Sequence, residues 1–304
     1  MIGVIHYAYG APTSIDDVNA YFSHILNGKV VPPPMMEKIT ASFKKPGFPD
    51  FIASSTQRIA SGLEVLLNDK LNEPVKVYYA YKHTAPFLED VVATAIAEGV
   101  TTLVTLPINP VFSASGGGAV HAETAALLEG KDIKHIPVTD WNTDEGIVNV
   151  YAERVGRAIK WLPIAVQDNA HVLFTVHSQP VDPARNEVYV KQFTELATAI
   201  ASKLGVENFH ITYRSSGGKE NWLAPDVKTA IRDLHEKGVT GFVTCELLAL
   251  TADVESYFEI GADCQEVCNE LNVPFAISEF PGDSFDTVMA LANLVVKRVQ
   301  LQHT

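Results

Sequence analysis

His177 closes the apolar run Val172-Leu-Phe-Thr-Val176 and stands just before Ser178-Gln-Pro180. An imidazole at a strand end can take up a proton or ligate a metal near neutral pH, or simply bond to backbone. A second group of side chains is acidic: Glu255, Glu259 and Asp263 follow one another four residues apart, with Glu266 close by. On a helix this spacing sets three carboxylates along one face, where like charges repel. Such a row is either a solvated face or, because hard divalent cations take oxygen ligands, a track that passes a metal ion. Cys264 and Cys268 share a helical spacing too, but with no second pair nearby they read as small core side chains. Gly116-Gly117-Gly118 lacks a following Lys-Ser/Thr and any GxGxxG pattern, so it reads as a flexible cleft rim rather than a phosphate loop. No GxSxG elbow and no kinase signature set is present.

These groups need a scaffold, and the composition says which kinds are excluded. The chain has 304 residues, 47% hydrophobic and 19% charged, with a mean hydropathy of +0.08. That excludes disorder, collagen and coiled coil, and the length suits two domains. With 23 basic against 36 acidic residues the net charge is -13, which argues against nucleic acid or an anionic membrane surface as partner. Three cysteines cannot make a disulfide framework and fit a reducing compartment. No stretch approaches the ~20 apolar residues of a membrane span, and Met1-Ile-Gly-Val-Ile-His6 is no signal peptide, so the expected location is cytoplasmic.

Short apolar runs alternate with helical patterns. Strands are expected at 2–9, Val75–Tyr81 and Thr101–Leu106. Helices are expected from Ser14 to Asn27-Gly28, from Met35 to Phe43, from Ser54 or Ser55 to Leu67, and over Pro86–Glu98. The order then repeats. Ala85-Pro86 and Gly99 recur as Ala224-Pro225 and Gly238, both pairs 139 positions apart. Tyr9-Gly-Ala-Pro12 has a counterpart in His177-Ser-Gln-Pro180, each a ring residue with proline three positions on. The fold class is therefore α/β: two similar Rossmann-like domains, 1–150 and 151–304, with parallel sheets whose strand ends face a central cleft and the last helix packing back on the first domain.

Several segments resemble the ferrochelatase family, which inserts ferrous iron into a porphyrin. Tyr7-Ala-Tyr9-Gly-Ala-Pro12, Tyr21–Gly28, Ala80-Tyr-Lys-His-Thr-Ala-Pro86, Thr175-Val-His177-Ser-Gln-Pro180, Trp222-Leu-Ala-Pro225 and Gly241-Phe-Val-Thr244 with Val254–Ile260 are similar to its motifs, in order along nearly the whole chain. The resemblance implies a class II chelatase-like fold. It makes His177 and Glu255 a catalytic pair, with Glu259 and Asp263 extending their metal track. Tyr9, His83, Phe112 and Trp222 would contact the substrate. The implied enzyme is a lyase of heme biosynthesis, acting as a monomer on Fe2+ and a porphyrin. It needs no bound cofactor, since three cysteines cannot hold the four-cysteine iron-sulfur cluster of some relatives. Tyr9 resembles the Gram-positive members that act on coproporphyrin III, which is favoured here over protoporphyrin IX. The open alternatives are a chelatase for another tetrapyrrole or metal, and a non-catalytic tetrapyrrole- or metal-binding relative. Two departures concern the propionate contacts. Leu26-Asn27 stand where such members carry paired arginines, and Pro46–Phe51 replaces a Gly-Gly-x-Ser-Pro-Leu loop.

Overall fold

The computed structural model describes residues 1–44, 51–216 and 220–301, the side chains of Phe51 and Ile52 excepted. Residues 46–50 of the substituted loop lie outside that set. The chain divides into two compact units.

The first unit comprises Met1–Ile108, Ala114–Thr139 and Asp283–Thr304. Its strands are β1 (Ile2–Ala8), β2 (Val75–Tyr81), β3 (Thr102–Pro107) and β4 (Lys134–Pro137), all parallel, in the order β2-β1-β3-β4. Its helices are α1 (Val18–Ile25), α2 (Pro33–Phe43), α3 (Phe51–Lys70), α4 (Leu88–Ala97), α5 (Gly117–Leu127) and, from the chain's end, α12 (Phe285–Gln300). Ile5, Tyr7 and Leu103 pack against Leu88, Val91, Val92 and Val120 on one side of the sheet. α12 packs on α3, where Gly62 makes room: a Cβ there would stand 3.0 Å from Val288.

The second unit, Asn109–Ser113 and Asp140–Gly282, repeats the plan. Strands β5 (His171–His177), β6 (Phe209–Arg214), β7 (Phe242–Glu246) and β8 (Phe275–Ile277) are parallel in the order β6-β5-β7-β8. Around them lie α6 (Glu145–Trp161), α7 (Ile164–Gln167), α8 (Pro183–Leu204), α9 (Val227–Glu236), α10 (Val254–Tyr257) and α11 (Asp263–Glu270), with a π-helical turn, Phe258–Ala262, between the last two. Leu173 and Phe242 bury Val227, Ile231, Cys264, Val267 and Cys268, so both paired cysteines are core side chains.

The two units thus share a strand order, and their repeats coincide in detail. The carbonyls of Pro86 and Pro225 each accept from a strand-end tyrosine, Tyr81 and Tyr213, at 2.9 Å. Neither proline is the first helical residue, as the pattern suggested. α4 and α9 begin two residues beyond each, after Phe87 and Asp226, because the proline carbonyl is held by the strand. Gly99 and Gly238 end those helices at φ +82° and +96°, a conformation that glycine adopts without steric cost.

Other boundaries move. The units part at Thr139/Asp140 rather than at 150/151, since α6, with Ile147, Val150, Tyr151 and Val155 buried, is one continuous element of the second unit. α1 starts at Val18 rather than near Ser14, because the Thr13 and Ser14 hydroxyls both donate to Asp17 at 2.8 Å and hold a turn there. α3 begins before Ser55, whose hydroxyl donates to Asp283 instead of capping the helix. Gly117 and Gly118 are not a loose rim but the first turn of α5. Among the described residues no helix is long and apolar enough to cross a membrane.

Candidate active site

Parallel sheets present their binding groups at the strand C-terminal ends. His177 is the last residue of β5, and its carbonyl is fixed by the Tyr189 hydroxyl of α8 at 2.8 Å. Its ring Nδ1 lies 2.5 Å from the Ser178 carbonyl, so that nitrogen carries the hydrogen and donates. In the neutral ring Nε2 is then the nitrogen with the lone pair, and it stands 3.6 Å from Glu255 Oε2. Glu255 is delivered by α10, whose start is set by a reciprocal cap: Asp253 accepts from the Ser256 N–H at 2.6 Å, and Ser256 Oγ accepts from the Asp253 N–H at 3.0 Å. When Nε2 is protonated, its N–H donates to Glu255, and that hydrogen bond, with the Arg214 charge, outweighs burial and holds the Glu255 carboxyl at about 2, well below its ordinary value.

The expected acidic row is present, and each member has its own partner. Glu259 accepts from Ser215 Oγ at 2.8 Å, and burial pushes its carboxyl upward. Asp263 pairs with Lys228 of α9 at 3.3 Å. Burial alone would depress that ammonium, but Asp263, Asp226 and Glu259 raise it above the ordinary value. The π turn falls between Glu255 and Asp263, a feature that α-helices often carry at functional sites. Among the described residues no three His, Cys, Asp or Glu side chains converge to hold an ion. The four expected metal residues therefore form no cage among the described residues.

Two residues that the sequence reading did not single out complete this cluster. Arg214, at the end of β6 and 2% exposed, bonds Glu246 of β7, itself 2% exposed, at 3.0 Å. It also reaches Asp253 at 2.9 Å and Glu255 at 3.5 Å. Burial opposes the guanidinium's charge, yet the surrounding carboxylates raise its pKa above the ordinary value, so it stays a cation. The signal that could have found Glu246 is the 139-residue repeat, which puts a carboxylate where the first half has Pro107.

Trp222 sits beside the His177 segment. The two chains run antiparallel at Pro180 and Trp222, with Val181 N–H to the Asn221 carbonyl at 2.8 Å and Leu223 N–H to the Gln179 carbonyl at 2.9 Å. Phe112 is anchored in the same unit by its N–H to Gln192 Oε1 at 2.8 Å. The first unit brings the other two expected residues together. Tyr9, 46% exposed, meets the His83 ring edge-on at 4.4 Å between centroids. His24 adds a ring nitrogen 2.9 Å from His83 Nδ1, and Lys82 stands 5.9 Å above the Tyr9 ring. Burial, with Lys82 and His24 nearby, lowers His83 to about 4.

The ferrochelatase family model matches residues 1–299. The chain belongs to the ferrochelatase family. It is 28% identical to the coproporphyrin III ferrochelatase of Geobacillus sp. (strain WCH70) over 306 residues, 99% of this chain and 98% of that one. It is also 28% identical to that of Bacillus subtilis (strain 168), covering 98% of each chain. Among solved structures, SirB from Bacillus subtilis with Fe3+ superposes with a TM-score of 0.62 at 14% identity, over 99% of this chain and 97% of the other. CbiX, the terminal enzyme for biosynthesis of siroheme in denitrifying bacteria, gives 0.53 at 14%, over 96% and 97%. Likenesses at that identity concern the fold, and both are chelatase folds. His177, Glu255, Glu259 and Asp263 are thus the candidate metal-handling residues of a ferrochelatase-family chain.

Proposed function

We propose that this chain inserts Fe2+ into coproporphyrin III in heme biosynthesis, as a lyase that works as a cytoplasmic monomer without a bound cofactor or cluster. The observation that carries the reading is the polarity of His177. With Nδ1–H committed to the Ser178 carbonyl, Nε2 is the free base, and an ionised Glu255 waits 3.6 Å away to stabilise the proton it gains. A free porphyrin carries two N–H protons that must leave as the metal enters. His177 takes the two protons in turn, Glu255 holding the imidazolium each time until it gives its proton to solvent water. Glu259 and Asp263 offer oxygen ligands to the hydrated cation on its way. Tyr9, His83, Phe112 and Trp222 supply aromatic surface for the ring. The coproporphyrin preference is supported by Tyr9 and by the substrate named for the relatives above.

An anaerobic assay of the purified protein with Fe2+ against coproporphyrin III, protoporphyrin IX and sirohydrochlorin in parallel tests this. Fastest metalation of coproporphyrin III is expected. A preference for either of the others overturns the substrate, and spectral binding without metalation of any overturns the enzyme.

A further inference from the structure

Nothing in the chelation scheme employs Arg214 or Glu246, yet they are among the most thoroughly buried charges of the second unit. Stability is a poor explanation for such a pair, because apolar side chains of similar volume usually serve a core as well or better. The geometry offers another. The guanidinium is planar and rigid, and its three nitrogens go to three different carboxylates: Nε to Glu246 at 3.0 Å, Nη2 to Asp253 at 2.9 Å and Nη1 to Glu255 at 3.5 Å. Glu246 is a fixed footing. It sits in β7, and its other oxygen accepts from the Leu248 N–H at 3.2 Å. Asp253 is the cap that starts α10. On the third branch, Nη1 faces Glu255 Oε2, the same oxygen that faces His177 Nε2. That side chain is half exposed and has three rotatable bonds, so its own packing does not fix where the oxygen lies.

We propose that Arg214 is a positioning residue for metal insertion: footed on Glu246 and Asp253, it fixes the Glu255 carboxylate in front of His177. This rests on the reading of His177 and Glu255 as the working pair and adds the group that sets their geometry. The cation also offsets the mutual repulsion of Glu246, Asp253, Glu255 and Glu259, which would otherwise spread the carboxylates apart. Lysine cannot substitute, because a single ammonium does not reach three acceptors in one plane.

Removing Arg214 alone leaves Glu246 buried without its partner, so the test uses the paired variant Arg214→Gln/Glu246→Gln, which keeps an amide hydrogen bond in the same place. Its kcat is expected to fall at least tenfold, with KM for porphyrin within twofold of wild type and an unchanged near-UV circular dichroism spectrum. Placed on a Glu255→Gln background, the same pair should cost nothing further, since the positioned group is already gone. Arg214→Lys should fall between wild type and the paired variant. A crystal structure of the paired variant should show Glu255 turned away from His177. Wild-type kcat, an equal fold-loss on the Glu255→Gln background, or an unmoved Glu255 would each overturn the proposal. A wild-type protein that metalates none of the three tetrapyrroles refutes the enzymatic reading instead, while the position of Glu255 in the variant still decides the role of Arg214.

Discussion

The two units carry different residues at equivalent strand ends. In the first, β1 runs on to Tyr9, β2 to Lys82, and β3 ends in Pro107; in the second, β5 ends in His177, β6 in Arg214 and β7 in Glu246. Pairing makes these positions equivalent: Tyr7 faces Pro107 as Thr175 faces Glu246, and His177 faces Arg214 just beyond the point where Ala8 faces Tyr81. One frame therefore presents an aromatic ring beside a half-buried lysine, and the other an imidazole in register with a buried guanidinium ringed by acid. The lysine is lowered by burial, with Glu123 pulling the other way, and its hydrogen bond goes to the Ser115 carbonyl. The arginine has carboxylates on every branch. At these strand ends the cation of the first unit meets a carbonyl and an aromatic ring, and that of the second unit meets three carboxylates.

The sharpest way to test that asymmetry is to remove the ring residue from each side. His177→Ala should lower kcat by about 10²–10⁴-fold, the usual worth of a positioned proton acceptor. Thermal unfolding should change little, because the side chain ends a strand and is one-third exposed. Tyr9→Ala should act mainly on KM for porphyrin. Equal kcat losses from the two substitutions would erase the distinction.

The strand-end partners separate the units by stability. Glu246→Leu leaves a buried guanidinium short of its deepest carboxylate and should cost about 3–5 kcal/mol in urea unfolding. Pro107→Ala at the equivalent position removes only apolar contacts, worth roughly 1–2 kcal/mol. Comparable losses would mean that Arg214 is satisfied without Glu246.

Acid should also act differently on the two. His6 of β1 is fully buried, and burial, offset in part by a hydrogen bond to the Leu106 backbone, lowers it to about 4. Between about pH 6.5 and 4 the unfolded chain therefore binds a proton that the folded one refuses, so stability falls as pH drops through that window. The shift corresponds to about 3 kcal/mol. His6→Leu should be at least as stable as wild type at pH 7, and its advantage should grow by about that amount by pH 4; a constant gap would show that His6 is protonated in the fold. Glu255, held at about 2, gives the second unit a lower limb, with its contribution lost from about pH 4.5 down to 2.

The smallest effect concerns propionates. The structure redirects the obvious substitution: Asn27 has φ +54°, which asparagine tolerates and arginine does not without strain, whereas Leu26 has φ −89°. Leu26→Arg is expected to tighten coproporphyrin III by about 1.4- to 5-fold, the range of an exposed ion pair, and protoporphyrin IX less. Fluorescence quenching titrations measure both, and unchanged affinities would detach this helix from the substrate.

Much of this was legible in the sequence. The buried parallel strands announce themselves as continuous apolar runs, and the paired Pro and Gly positions revealed the repeat. His177 and the acidic row stood out by type and spacing. What escaped notice depends on long-range contact. Arg214 reads as one more polar residue after a strand, since the three carboxylates it meets lie 32, 39 and 41 positions away. The assignment of Asn109–Ser113 to the second unit has no local mark at all, whereas the return of the last helix to the first unit was expected. Phe258-Glu-Ile-Gly-Ala262 reads as ordinary helix, with Gly261 the lone irregularity.

That wide turn has a geometric consequence. Eight residues at about 100° each would carry Asp263 about 80° round the axis from Glu255 on an unbroken α-helix. A turn that absorbs one extra residue takes back roughly 100°, which brings the two to within about 20° of a straight line. The direction of the carboxylate row is therefore set by the backbone winding of the turn between its ends, not by the acidic side chains themselves. Deleting a single residue there would leave seven positions between the ends, about 700°, and so keep the row aligned on a plain α-helix, whereas a change that straightened Phe258–Ala262 into α-helix with every residue kept would swing Asp263 about 80° away.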